Sequence, residues 1–163
     1  CNELYRVIAN EASCPGSRVL ELFCGSGGIS LQIAAVCDRL TGIDIIEQNI
    51  LDAKDNALFN NISNLDFICM DCQEFLEKAY SSSALKDYSC LIVDPPRQGL
   101  TKKGRNFILS SQIDRIVYVS CNPESLAVDL RQLCGRYALK KVVPVDMFCH
   151  TPHVETVALL IRQ

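Results

Sequence analysis

The chain has 163 residues, is 48% hydrophobic and 21% charged, and carries a formal net charge of −3. That length and balance describe a single globular domain with material for a core, and they exclude a disordered chain. No apolar run approaches the roughly 18 residues of a membrane span, and the acidic balance excludes a domain that grips nucleic acid over its whole surface.

Along the chain, strand-like runs alternate with helical patterns. Arg18 to Phe23 reads as a first strand and Gly28 to Val36 as a helix. Leu40 to Asp44 is a short second strand, and from Glu47 to Asn60 the apolar residues Ile50, Ala53, Ala57 and Leu58 recur at helical spacing. Leu65 to Met70 follows as strand three, Gln73 to Tyr80 as a helix, and Ser81-Ser82-Ser83 as a loop. Ser89 to Val93 is a continuous apolar strand bounded by Asp94-Pro95-Pro96. Thr101 to Ser111 reads as a helix, Arg115 to Val119 as strand five, and Pro123 to Tyr137 as the next helix. Leu139 to Met147 and Val154 to Ile161 close the pattern as two strands. Their connection is too short for a crossover helix, so the pair is expected to be antiparallel. The expected fold is α/β: a Rossmann-like, seven-stranded, mostly parallel sheet with an antiparallel last strand and helices on both faces. No repeat, low-complexity tract or internal boundary divides residues 1–163.

The ten cysteines are scattered rather than clustered, and several, such as Cys69 and Cys90, fall in apolar runs where cysteine packs as a small hydrophobe. This usage points to a reducing, cytoplasmic compartment. Cys69-Met70-Asp71-Cys72 has CxxC spacing, but no second CxxC or HxxxH pair accompanies it, so strand packing is expected there and no metal site.

Glu21-Leu22-Phe23-Cys24-Gly25-Ser26-Gly27-Gly28 follows strand one and opens a helix. Glycines at such a junction let the backbone turn tightly and approach a ligand. Asp44 ends the next strand, where a carboxylate can accept hydrogen bonds from ribose hydroxyls, and Asp71 ends the third, within reach of an adenine amino group. A dinucleotide fingerprint would place a third glycine at the sixth position from Gly25, where Ser30 stands. A ligand without a pyrophosphate, such as S-adenosylmethionine, needs less of that loop.

Asp94-Pro95-Pro96-Arg97 makes a rigid exit from strand four, with a carboxylate facing the pocket and Arg97 able to meet a phosphate. Ser120-Cys121-Asn122-Pro123 lies where strand five becomes a helix: Asn122 suits the N-cap and Pro123 the first helical position. Cys121 beside a helix N-terminus has a backbone dipole that favours thiolate, the nucleophilic form. Taken alone, the DPP motif also suits an amino-group methyltransferase, which needs no cysteine.

Together with His150-Thr151-Pro152-His153-Val154-Glu155, these motifs give the chain a family likeness. It resembles the catalytic domain of the S-adenosylmethionine-dependent RNA 5-methyluridine (uracil-5) methyltransferases. The matching stretches are Glu21 to Gly28, Asp44, Asp94 to Gly99, Ser120 to Pro123 and Asp146 to Glu155, which span nearly the whole chain. The resemblance implies Cys121 as the nucleophile that adds to carbon 6 of uracil and Glu155 as the base that removes the carbon-5 proton. Asp94 and Arg97 complete the catalytic set. It implies Phe23, Gly28, Asp44 and Asp94 in the S-adenosyl-L-methionine pocket, beside Gly25, Gly27 and Asp71 from the loop reading, with His150 and His153 as shaping hydrogen bonders. It implies structured RNA, tRNA or rRNA, as the partner, with the cluster Arg97, Lys102, Lys103 and Arg105 flanking the phosphates. The family's Gln-Pro-Asn-type segment before strand one is missing. Residues 1–163 are therefore expected to be the catalytic domain of a longer protein with N-terminal RNA-binding and central domains, and to bind RNA weakly by themselves. Alternatives at this stage are a catalytically silent RNA- or cofactor-binding fragment and an RNA cytosine-5 methyltransferase, whose strand-four motif typically has Cys where Pro96 stands. Oligomeric state is not legible.

Overall fold

The structure is a computed structural model and describes residues 2–13, 16–147, 150–151 and 154–163. Seven strands form one sheet: β1 (Arg18–Leu22), β2 (Arg39–Asp44), β3 (Leu65–Cys69), β4 (Cys90–Val93), β5 (Arg115–Ser120), β6 (Tyr137–Val145) and β7 (Glu155–Arg162). Their order across the sheet is β3-β2-β1-β4-β5-β7-β6, and β7 is antiparallel to both its neighbours while the other pairs are parallel. The chain builds outward from β1 in one direction and from β4 in the other. The ends of β1 and β4 therefore meet at the switch point where open α/β sheets take their ligands.

Among the described residues, six α-helices cover the sheet: α1 (Asn2–Ala12), α2 (Gly28–Ile33), α3 (Glu47–Phe59), α4 (Cys72–Ser81), α5 (Lys102–Ser110) and α6 (Pro123–Leu133). The period-2 alternation of the central strands sorts two cores. Leu20, Leu22, Leu91, Val93, Ile116 and Tyr118 face α4, α5 and α6. Val19, Ile92, Val117 and Val119 face the other way, against α1 and α2. Each of these strand residues is essentially removed from water, a gain of about 1.5–3 kcal/mol for every large apolar side chain.

The expected strands and their directions are present, with shifted boundaries. The helix expected over Gly28–Val36 becomes a 3-10 turn at Ala34–Val36. The helix expected to reach Tyr137 stops at Leu133, two residues before Gly135, and Tyr137 instead starts β6. There its ring is buried and its hydroxyl donates to the Ile113 carbonyl at 2.9 Å. Helix α1 was not foreseen, although Leu4, Val7, Ile8 and Ala12 have the spacing of one buried stripe.

Candidate active site

The alternation that builds the core also aims the polar residues beyond it. Glu21 lies between Leu20 and Leu22 and so faces the α1/α2 side, where Ser30 of α2 donates its hydroxyl to Glu21 Oε2. Asp94 follows Val93 on the same side. On β5 and β7 the register pairs Val119 with Val157 and Ser120 with Thr156. The register ends there: Cys121 follows its last pair on β5 and Glu155 precedes it on β7, at the end of the sheet where Glu21 and Asp94 also stand. Three carboxyls, Glu21, Asp94 and Glu155, thus interact at one end of the central strands, and Cys121 follows β5 at that end.

The electrostatics bear the mark of that gathering. Burial pushes Glu21 up to about 8, helped by the nearby Asp94 and opposed by the Ser30 hydrogen bond. Asp94 is raised to about 6 by burial and then by Glu155, and Glu155 is itself raised by burial. Desolvation and mutual repulsion both disfavour the charged forms, so this end of the sheet favours a cation. Glu21 was not singled out from the sequence as a site residue. The available signal was an acid within an otherwise apolar strand directly before the glycine loop.

Beside this cluster lies a cleft of about 410 Å³ lined by Phe23, Asp44, Ile45, Ile46, Asp71, Asp94 and Pro95. Asp44 is buried there, and the Gly25 amide donates to its Oδ2 at 2.9 Å. Its Oδ1 accepts from the Ile46 amide at 2.9 Å and the Asn49 side chain at 3.3 Å. The carboxylate is held rigidly, and its remaining lone pairs are available to a ligand. Gly25 has φ +53°, and a Cβ built there would meet open space, which leaves the loop backbone approachable. Gly27 has φ +82° and packs near Phe67 and Ala53, so it sets the loop's shape from beneath. A Cβ on Gly28 would lie 3.1 Å from the Tyr5 hydroxyl. Phe23 holds φ +64°, a left-handed conformation rarely taken by a bulky residue and one that marks local strain at the cleft.

Asp71 has a second duty. Its Oδ1 caps α4, accepting from the Gln73 amide at 2.9 Å and the Glu74 amide at 3.0 Å. Asn122 caps α6 by accepting from the Glu124 amide at 3.1 Å, with Pro123 in the first turn, as its sequence position predicted. Cys121 is half-buried immediately before this cap. Arg97 is exposed, and its carbonyl accepts from the Asn122 side chain at 3.0 Å.

Two sequence expectations are revised. The cations from Arg97 to Arg105 do not form a common phosphate path, because Lys103 pairs with Glu77 and Arg105 is folded inward onto Asp129. Cys69 and Cys72 diverge, the first exposed against the Ile45 carbonyl and the second buried against that of Ile43. His150 is exposed with φ +69°, and His153 lies outside the described residues.

The profile of the family described as tRNA (Uracil-5-)-methyltransferase matches residues 6–163. A Bacillus cereus relative described as an uncharacterized RNA methyltransferase is 41% identical over 145 residues, 88% of this chain and 31% of its own length. One of the same description from Enterococcus faecalis is 38% identical over 98% of this chain and 35% of its own. The solved structure of the Pyrococcus abyssi tRNA (uracil-54, C5)-methyltransferase in complex with S-adenosyl-L-homocysteine superposes with a TM-score of 0.85 at 33% identity, covering 98% of this chain and 37% of that one. The chain spans about a third of the length of the relatives it matches.

Proposed function

The chain belongs to the tRNA (uracil-5-)-methyltransferase family, and from that premise we propose that it transfers a methyl group from S-adenosyl-L-methionine to carbon 5 of a uridine in tRNA or rRNA. The observation that supports this reading is that Cys121 follows β5 and Glu155 opens the adjacent antiparallel β7 at the same end of the sheet, with Asp94 raised by burial and by Glu155. Methyl transfer to an oxygen or an amine needs no thiol facing a base, whereas carbon 5 of uracil needs both.

The residues fit the cofactor. Its adenosine matches a cleft with two apolar side chains, Ile45 and Ile46, following a fixed carboxylate, Asp44. Asp44 would take the ribose hydroxyls, Asp71 the adenine edge, and Phe23 with the Gly25–Gly28 loop the remainder. A cationic amino-acid sulfonium suits an end of the sheet where Glu21, Asp94 and Glu155 stand together. When bound, the cofactor supplies an electrophilic methyl group.

In this reading Cys121, reacting as its thiolate, forms a bond to carbon 6 of the ring. The carbon 5–carbon 6 electron pair moves toward the carbonyl oxygen at carbon 4 as an enolate, and carbon 5 becomes nucleophilic enough to take the methyl. Glu155 then removes the carbon-5 proton. The freed pair re-forms the double bond and expels the thiolate. Burial makes Glu155 a stronger base once ionised, which suits a weakly acidic carbon-bound proton. Asp94 orients the ring and Arg97 the adjoining backbone. A base in folded RNA must leave its stack to reach this depth.

The test uses the full-length protein, the cofactor and RNA containing 5-fluorouridine. Fluorine cannot leave as a proton, so a covalent adduct accumulates with the natural protein and is absent with Cys121→Ala. With ordinary RNA, Glu155→Gln accumulates methylated adduct. An adduct that persists in Cys121→Ala, or full turnover by Glu155→Gln, would remove that residue from its role.

A further inference from the structure

The segment from Asp94 to Thr101 leaves β4 at the site, and its far half is tied to α6. The buried Leu100 donates its amide to Asp129 Oδ2 at 2.8 Å and accepts from Arg105 Nη1 at 2.6 Å through its carbonyl. The same Nη1 donates to Asp129 Oδ1 at 2.5 Å, and the Tyr118 hydroxyl donates to Oδ2 at 2.5 Å. Asp129 is only 1% exposed, so one carboxylate inside the protein collects donors from the loop, α5 and β5. Gly99 approaches so closely, at φ +76°, that a Cβ would stand 2.7 Å from Asp129 Oδ2.

A second tie lies on the same stripe of the same helix. Asn122, Ser125 and Asp129 are spaced by three and four residues and share one face of α6. Asn122 holds the Arg97 carbonyl at 3.0 Å, and Ser125 Cβ would lie 3.3 Å from a Gly99 Cβ. This face therefore grips the loop at both ends of the Arg97–Leu100 segment, while Cys121 directly precedes the Asn122 cap.

We propose that Asp129 is a positioning residue, fixing the loop that carries Asp94 and Arg97 in register with Cys121. The claim rests on the uracil-5 reading, in which thiol, loop and base must close on one ring. A carboxylate is required because every partner is a donor, one of them a guanidinium, and Asp129 is buried. An amide of the same shape turns an NH2 group toward at least one of those donors, which moves the loop without opening a cavity.

The experiment compares Asp129→Asn, Tyr118→Phe and Leu133→Ala in the full-length protein. Leu133→Ala removes core packing from the same helix and serves as the stability control. The readouts are thermal midpoint, S-adenosylhomocysteine affinity by calorimetry, and the rate of adduct formation with 5-fluorouridine RNA at saturating cofactor. Asp129→Asn is expected to slow adduct formation tenfold or more with the affinity changed less than threefold. Tyr118→Phe, which removes one donor and little volume, is expected to slow it about threefold. Adduct formation at the natural rate in both variants overturns the proposal. So does a loss no greater than that of Leu133→Ala when each is measured at the same interval below its midpoint. No adduct in the unsubstituted protein overturns the uracil-5 reading and the positioning role together, which separates the two failures.

Discussion

Glu21 is the residue whose surroundings depart furthest from water among the site carboxylates, and its acidity follows. It sits on the apolar β1, removed from solvent, with Ser30 donating to it and Asp94 nearby. A carboxyl whose folded pKa stands near 8, against an ordinary 4.5, binds its proton more tightly in the native state than in the unfolded one. Its contribution to stability is complete below about pH 4.5 and is lost as pH rises through 8. Thermal midpoints measured between pH 5 and 8 should therefore decline. In Glu21→Gln, which keeps an acceptor for Ser30 and cannot ionise, the decline should be visibly shallower. An equal slope in the variant would show that the proton resides elsewhere. Asp94 and Glu155 contribute in the same direction, so a residual slope is expected. At the residue scale the sequence exposed Asp44, Asp71 and Asp94 because each stands where an apolar run stops, and Glu155 through the family resemblance of its motif. Glu21 stayed hidden inside its run, since only burial distinguishes it.

At the scale of elements, helix caps couple the scaffold to the site. Asp71 directs both cap bonds through Oδ1 to the first turn of α4 and also lines the cofactor cleft. Asp71→Ala should cost about 1 kcal/mol in chemical denaturation, the usual worth of an N-cap. Asp71→Ser should restore most of that stability while leaving S-adenosylhomocysteine affinity reduced, because the shorter side chain caps the helix without reaching into the cleft. Recovery of affinity along with stability would limit Asp71 to its cap. The same logic explains which boundaries were legible. Asn122-Pro123 announces the start of α6 through local chemistry, whereas its end was misplaced because Tyr137 continues the apolar spacing. Its ring is claimed by the core between α5 and β5, a contact with residues more than 20 positions away. Helix α1 went unread for a related reason: its stripe is short, and its value appears only against α2 and the far strands.

For the whole molecule, charge placement governs what the chain can hold. The net charge is −3, Lys103 and Arg105 are engaged with acids of the protein, and Glu21, Asp94 and Glu155 gather carboxyls at one end of the sheet. The 163-residue chain should bind S-adenosylhomocysteine yet hold structured RNA weakly. The logarithm of its RNA affinity should fall with log salt at a slope corresponding to about one or two phosphate contacts, measured by fluorescence anisotropy. A slope matching six or more contacts would refute this weak hold on RNA. The sequence by itself determined the strand and helix alternation, the acid at each strand end and the thiol before α6, because these are written in local periodicity and capping chemistry. The tertiary structure decided which of them meet. The antiparallel β5/β7 pairing brings the end of β5, before Cys121, to the start of β7 at Glu155, and the inward fold of Arg105 turns a surface cation into an internal clamp. Such pairings depend on backbone register and desolvation between residues distant in the chain, and no local window of sequence contains that information.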